Sequence, residues 1–197
     1  MTPETTASLR RAILIVALAN LAYFGVEFFM ARRIGSVSLF ADSVDFLEDA
    51  SVNLLILVAL SWTPNSRAKV GMGLAALLLV PGLATLWTIV TKFTHPQVPD
   101  ASLLSITGLG ALGINLACAF LLARYREHAG SLTRAAFLSA RNDALANIAI
   151  IIAGLATAAT HRVWPDLIVG LAIAAMNIDA AKEVWQAARR EGTEAKA

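Results

Sequence analysis

The sequence predicts an all-α integral membrane protein of six transmembrane helices with both termini cytoplasmic, and three observations predict it: composition, the spacing of apolar runs, and the placement of Lys and Arg. Of the 197 residues, 57% are hydrophobic and 15% charged, against a charged share of about 25% in ordinary soluble domains. Mean hydropathy is +0.66. At about 1.5 Å rise per residue, roughly 20 apolar residues cross the hydrocarbon core, so the chain holds six crossings only if its loops are short. It then reads as a single membrane domain, 1–190, followed by a short cytoplasmic tail, 191–197, which leaves little for a separate soluble domain.

Apolar windows between polar punctuation place spans at 12–31, 36–62, 70–91, 102–123, 135–160 and 166–186. The first follows Arg10 and Arg11 without a small-residue cleavage signature, which indicates a retained anchor and not a signal peptide. Arg32 to Gly35, Thr63 to Arg67, His95 to Asp100, Arg124 to Gly130 and His161 to Pro165 are the short polar connections. With both termini inside, Arg10, Arg11, Arg67, Lys69, Arg124, Arg126, Arg134, Lys182, Arg189, Arg190 and Lys196 collect on the cytoplasmic side. Arg32, Arg33, Lys92 and Arg162 remain outside, an asymmetry that follows the positive-inside rule. Trp62, Trp87, Trp164 and Trp185 fall near span ends, where amphipathic rings settle. Gly108, Gly110, Gly113 and Gly170 mark close helix packing, and Pro81 a kink.

Basic residues gathered at span ends act as topology signals and do not form a nucleic-acid face. The single Cys118 excludes a disulfide framework or thiolate cluster within one chain. Chemistry concentrates in the second span, where Asp42, Asp45, Glu48 and Asp49 interrupt a stretch otherwise apolar enough to cross a membrane. Insertion scales charge about 2.5–3.5 kcal/mol for an Asp at a helix centre, so such groups imply an ion site, pore or pocket. Residues three and four apart share a helix face, which aligns Asp42, Asp45, Asp49 and Asn53 in one stripe with Glu48 to its side. The fifth span carries a second stripe, Ser139, Asp143 and Asn147.

Counted from the outer ends of two antiparallel helices, Asp45 and Asp49 lie roughly 14 and 20 Å deep, and Asn147 and Asp143 roughly 18 and 24 Å. The two pairs overlap near the midplane. Three carboxylates, from Asp45, Asp49 and Asp143, with the amide oxygen of Asn147, form a four-ligand oxygen set suited to a divalent cation.

The run from Asn20 to Glu27, the stretch from Gly35 to Asp49, Asn115, the Asp143 to Asn147 stripe and the opening of the sixth span from Pro165 to Leu171 resemble the cation diffusion facilitator family of metal/proton antiporters over nearly the whole chain. The resemblance makes Asp45 and Asp49 the first ligand pair and Asp143 and Asn147 the second. Zinc-selective members usually place His in one pair, where this sequence has acids and an amide. The family's carboxy-terminal cytoplasmic domain and His-rich loop are also missing. Without imidazole the preference moves toward manganese or ferrous iron, although zinc, cobalt and cadmium accept carboxylates too.

The function expected is therefore transport of divalent transition-metal cations, as efflux, in exchange for protons. The protein is not expected to be an enzyme or to carry a resident cofactor. Its partners are metal ions, protons and the bilayer, with a homodimer formed through membrane helices and no nucleic acid. It is expected to lie in the plasma (inner) membrane as a multi-pass protein. Clustered carboxylates in a low-dielectric site hold protons when no cation balances them, so metal and proton compete for the same oxygens. Two rivals stay open: an intramembrane aspartate-dependent hydrolase, although no G-x-G-D signature surrounds either stripe, and a transporter of small organic cations, for which aromatic residues are few. Glu27 and Glu48 read equally as proton carriers or as partners of Arg32 and Arg141.

Overall fold

A chain in hydrocarbon must satisfy its backbone hydrogen bonds within each segment, which leaves the helix as the available choice for these apolar runs. The computed structural model describes residues 3–59, 73, 83–123 and 130–194. Its helices are α1 (Pro3–Ile34), α2 (Val37–Ala59), α3 (described over 83–94), α4 (Ala101–Ala123), α5 (Gly130–Thr160) and α6 (Trp164–Glu194). Among the described residues there is no strand, and the all-α membrane architecture expected from the sequence is observed. Residues 60–72, 74–82 and 124–129, which include Trp62, Pro81 and His128, lie outside the described residues.

The helices begin and end where capping chemistry dictates, and they run past several of the apolar windows. Arg32 and Arg33, expected in a loop, form the last turn of α1, where their charge complements the helix dipole. Gly35 at φ 67° then reverses the chain, and Ser36 N–H bonds Ala31 C=O at 3.0 Å, which is the Schellman closure. Ser36 immediately caps the next helix, its hydroxyl accepting from Leu39 N–H at 3.1 Å. Asp100 caps α4 through Leu103 N–H at 2.9 Å. His161, at φ 52°, ends α5 by donating its N–H to Thr157 C=O at 2.8 Å.

α2 stands at the centre, packed against α1, α4, α5 and α6. Its amino terminus is held by Asp166 on α6. One carboxylate oxygen accepts from the hydroxyls of Ser36 and Ser38 at 2.7 Å each and from Ser38 N–H at 3.1 Å, while the other accepts from Val37 N–H at 2.8 Å. The anion thus meets the unpaired N–H groups of the α2 terminus, where the helix dipole favours it. Gly170, one turn along α6, lets the backbones meet: a Cβ there would lie 2.7 to 2.9 Å from Val37 and Ser38 atoms.

The distribution of polarity is that of a membrane bundle. Leu18, Phe29, Leu109, Phe120, Ile152, Leu155 and Ile168 point outward. Asn20, Glu27, Asp42, Asn115, Asn147 and Asn177 are buried. Trp87 and Trp164 are exposed, and Trp164 packs edge-on against Phe93 with ring centroids 5.6 Å apart.

Gly170→Ala forces a methyl into the α2 backbone and should cost about 1–3 kcal/mol. Thermal unfolding in detergent should show a clearly lowered midpoint, while Gly113→Ala, where a Cβ meets nothing within 4 Å, should not.

Candidate metal-binding site

Helical spacing puts Asn20, Tyr23 and Glu27 on one face of α1, and that face meets the acidic stripe of α2. α5 supplies Asp143 and Asn147, and α4 supplies Asn115. The buried amides organise the site. Asn147 donates from Nδ2 to Asp42 Oδ2 at 2.5 Å and accepts at Oδ1 from Asn115 Nδ2 at 2.9 Å, so one side chain of α5 links α2 to α4. Asn20 donates from Nδ2 toward Asp49 Oδ2 at 3.4 Å, and its oxygen faces the Cys118 thiol at 3.8 Å.

The α2 and α5 stripes meet, as the depth comparison requires, but in a shifted register. Asn147 sits opposite Asp42, outside the interval between Asp45 and Asp49 where the depth count sets it, while Asp143 lies within hydrogen-bonding reach of Asp49. Asp45 lies between Asp42 and Asp49 on the same face of α2. Asp42 and Asn147 are fully buried, whereas Asp45, Asp49 and Asp143 are half-buried. Among the described residues no three acidic, His or Cys side chains converge closely enough to grip one ion together. The structure brings Asp49 and Asp143 together and sets Asp45 beside them.

Glu27 does not pair with Arg32, which is exposed. Both Glu27 oxygens and Asp42 Oδ1 are buried without a hydrogen-bond partner. Asn53 donates to Asp49 C=O at 2.7 Å and so acts on the α2 backbone. Glu48 is 9% exposed beside the stripe, and the side chain of Arg141 lies outside the described residues.

Asn177 had no role in the sequence reading, but it donates to Ala41 C=O at 3.0 Å and ties α6 to α2 opposite the acids. A lone amide in an apolar span was its available signal. Asn20 and Glu27, seven residues apart, carried a clearer one, since two turns restore the same face.

Removing the amide of Asn147 leaves Asp42 and Asn115 short of partners, at about 1–3 kcal/mol. Chemical denaturation of Asn115→Ala, Asn147→Ala and the double variant should give clearly non-additive losses, because the two amides share one bond.

A comparison with curated proteins finds none that matches. The family model described as the cation efflux transmembrane domain matches residues 13–189, nearly the whole chain, including all the helices that carry the polar interior. This chain is a multi-pass membrane protein that belongs to the cation efflux family, whose members move metal cations across membranes.

Proposed function

We propose that the protein exports divalent transition-metal cations in exchange for protons, with Asp45, Asp49, Asp143 and the amide oxygen of Asn147 as the ligands. The observation that carries this reading is the contact between Asp49 of α2 and Asp143 of α5 inside a membrane-spanning bundle. Two carboxyls from different helices meet there, and a cation between them relieves the repulsion that otherwise opposes ionisation. Asp45 completes the carboxylate set by rotation of its side chain. Oxygen ligands without imidazole favour manganese or ferrous iron while admitting zinc, cobalt and cadmium.

Metal and protons compete for these oxygens, so a site that opens alternately to the two sides exchanges one for the other. With both termini cytoplasmic, as the Lys and Arg asymmetry supports, the carboxy-terminal end of α2 faces the cytoplasm. We place the protein in the plasma (inner) membrane as a single domain over 1–190, paired as a homodimer through its membrane helices.

Reconstituted in vesicles with a pH-sensitive interior dye, the wild-type chain should move manganese and zinc while protons move the opposite way. Asp49→Ala and Asp143→Ala should each reduce initial rates at least tenfold, with detergent stability retained. Transport that survives both substitutions would remove this ligand assignment, and metal flux without proton flux would remove the exchange.

A further inference from the structure

Asn20 is a fully buried amide on α1 that touches a carboxylate of the proposed metal site without being one of its ligands. Its Nδ2 donates to Asp49 Oδ2 at 3.4 Å, and its Oδ1 accepts from the buried thiol of Cys118 on α4, with sulfur and oxygen 3.8 Å apart. The first bond is longer than usual, yet the packing around it fixes the same register. Three residues up α1 and three down α2 from that pair, Tyr23 and Phe46 meet with ring centroids 5.1 Å apart, and further on Phe28 meets Phe40 at 5.6 Å. Toward α4, Val16 packs with Cys118, Ala119 and Leu122 one turn to one side of Asn20, and Tyr23 donates to Thr107 C=O at 2.7 Å on the other. Two helix pairs therefore hold Asn20 between Asp49 and Cys118 independently of either bond.

The chemistry of the two partners orients the amide. A thiol has a proton to give and a carboxylate only accepts, so the amide oxygen turns to Cys118 and the nitrogen to Asp49. That matters to Asp49 because the last torsion of a carboxylate side chain is broad and weakly restrained. Without a donor the group is ordered only when an ion arrives, at a cost to binding. A donor on Oδ2 orders it beforehand.

We propose that Asn20 is a positioning residue for Asp49, itself oriented by the Cys118 thiol, and that this connection from α4 through α1 to α2 raises the affinity of the site for its divalent cation. The inference rests on the metal-transport reading, which gives Asp49 an ion to hold. A ligating carboxylate that loses such a partner typically holds its metal about 10–100-fold less tightly. An amide that only joined three helices would cost stability when removed and leave affinity intact.

The test uses the full-length chain in vesicles and in detergent, with manganese and zinc as the probes. Asn20→Ala should raise the metal concentration for half-maximal transport by about tenfold or more and weaken calorimetric binding to match, while the maximal rate per folded molecule changes little. Cys118→Ala should shift the half-maximal concentration in the same direction by less, and Cys118→Ser, whose hydroxyl still donates, should restore it. Asn177→Ala removes a buried amide bonded to a backbone carbonyl and is the control: it should lower the thermal midpoint without moving that concentration. A half-maximal concentration unmoved in Asn20→Ala, with loss confined to the midpoint or the maximal rate, would overturn the proposal. A shift in Cys118→Ala that Cys118→Ser does not reverse overturns the part played by the thiol.

A second measurement stands if Asn20→Ala does not fold or the wild type binds no metal. Cys118 is the single cysteine of the chain, so its S–H stretch is one infrared band. In the metal-free wild type that band should lie at the lower wavenumber of a hydrogen-bonded thiol, and in Asp49→Ala, where the Asn20 amide is released, it should move. A band at the free-thiol position in the wild type, or one that Asp49→Ala leaves in place, overturns the proposal. Failure of the wild type to bind metal, with both band positions as expected, supports the connection and counts against the transport reading alone.

Discussion

Four acids on a helix that crosses the membrane are the constraint to which the rest of this structure answers. Each carboxyl of α2 must find protons, cations or polar partners inside the bundle, because neither lipid nor water is there to solvate it. The neighbouring helices supply them. α1 presents Asn20 and Glu27, α4 presents Asn115, α5 presents Asp143 and Asn147, and α6 braces the α2 backbone with Asn177 and Asp166. The outside of the bundle is left to leucine, isoleucine and phenylalanine. Polarity is arranged inward because the solvent is apolar, and that arrangement brings the chemistry of four helices to one depth.

Among the described residues amides outnumber basic side chains in this interior, and the choice has a physical sense. An Arg or Lys beside the acids would neutralise them permanently and remove any reason to take up a cation. An amide donates to a carboxylate, as Asn147 does to Asp42, while leaving its charge in place. It also accepts on its other end, so Asn147 passes the connection on to Asn115 and couples α2, α5 and α4 through two bonds.

Much of this was legible in the sequence. Hydropathy found the helices because a transmembrane run is a long signal, and the four-residue spacing found both stripes because the helical period fixes which side chains share a face. Helix ends were less legible: Arg32 and Arg33 looked like a loop, although they form the last turn of α1, because charge alone does not break a helix. Register between α2 and α5 was not legible. Depth counted along each helix sets Asn147 between Asp45 and Asp49, whereas packing slides it to Asp42, and the sequence of one helix carries no measure of how far its neighbour is displaced along it. Asn177 and the Asp166 cap join residues more than a hundred positions apart, and neither pattern nor period announces such a partnership.

The anchorage of Asp166 limits which parts of the bundle can move independently. A two-residue turn binds α1 to α2 at the same end where Asp166 fastens α6 to the start of α2, with Gly170 pressed against that backbone one turn below. Three helices are consequently riveted at one rim. A rearrangement that admits an ion from that rim either tears four hydrogen bonds from a single carboxylate or carries the trio as a block. The second course leaves the seams along α4 and α5 as the place where such a block slides, and Asn147, which straddles one of them, would be the first contact to feel it.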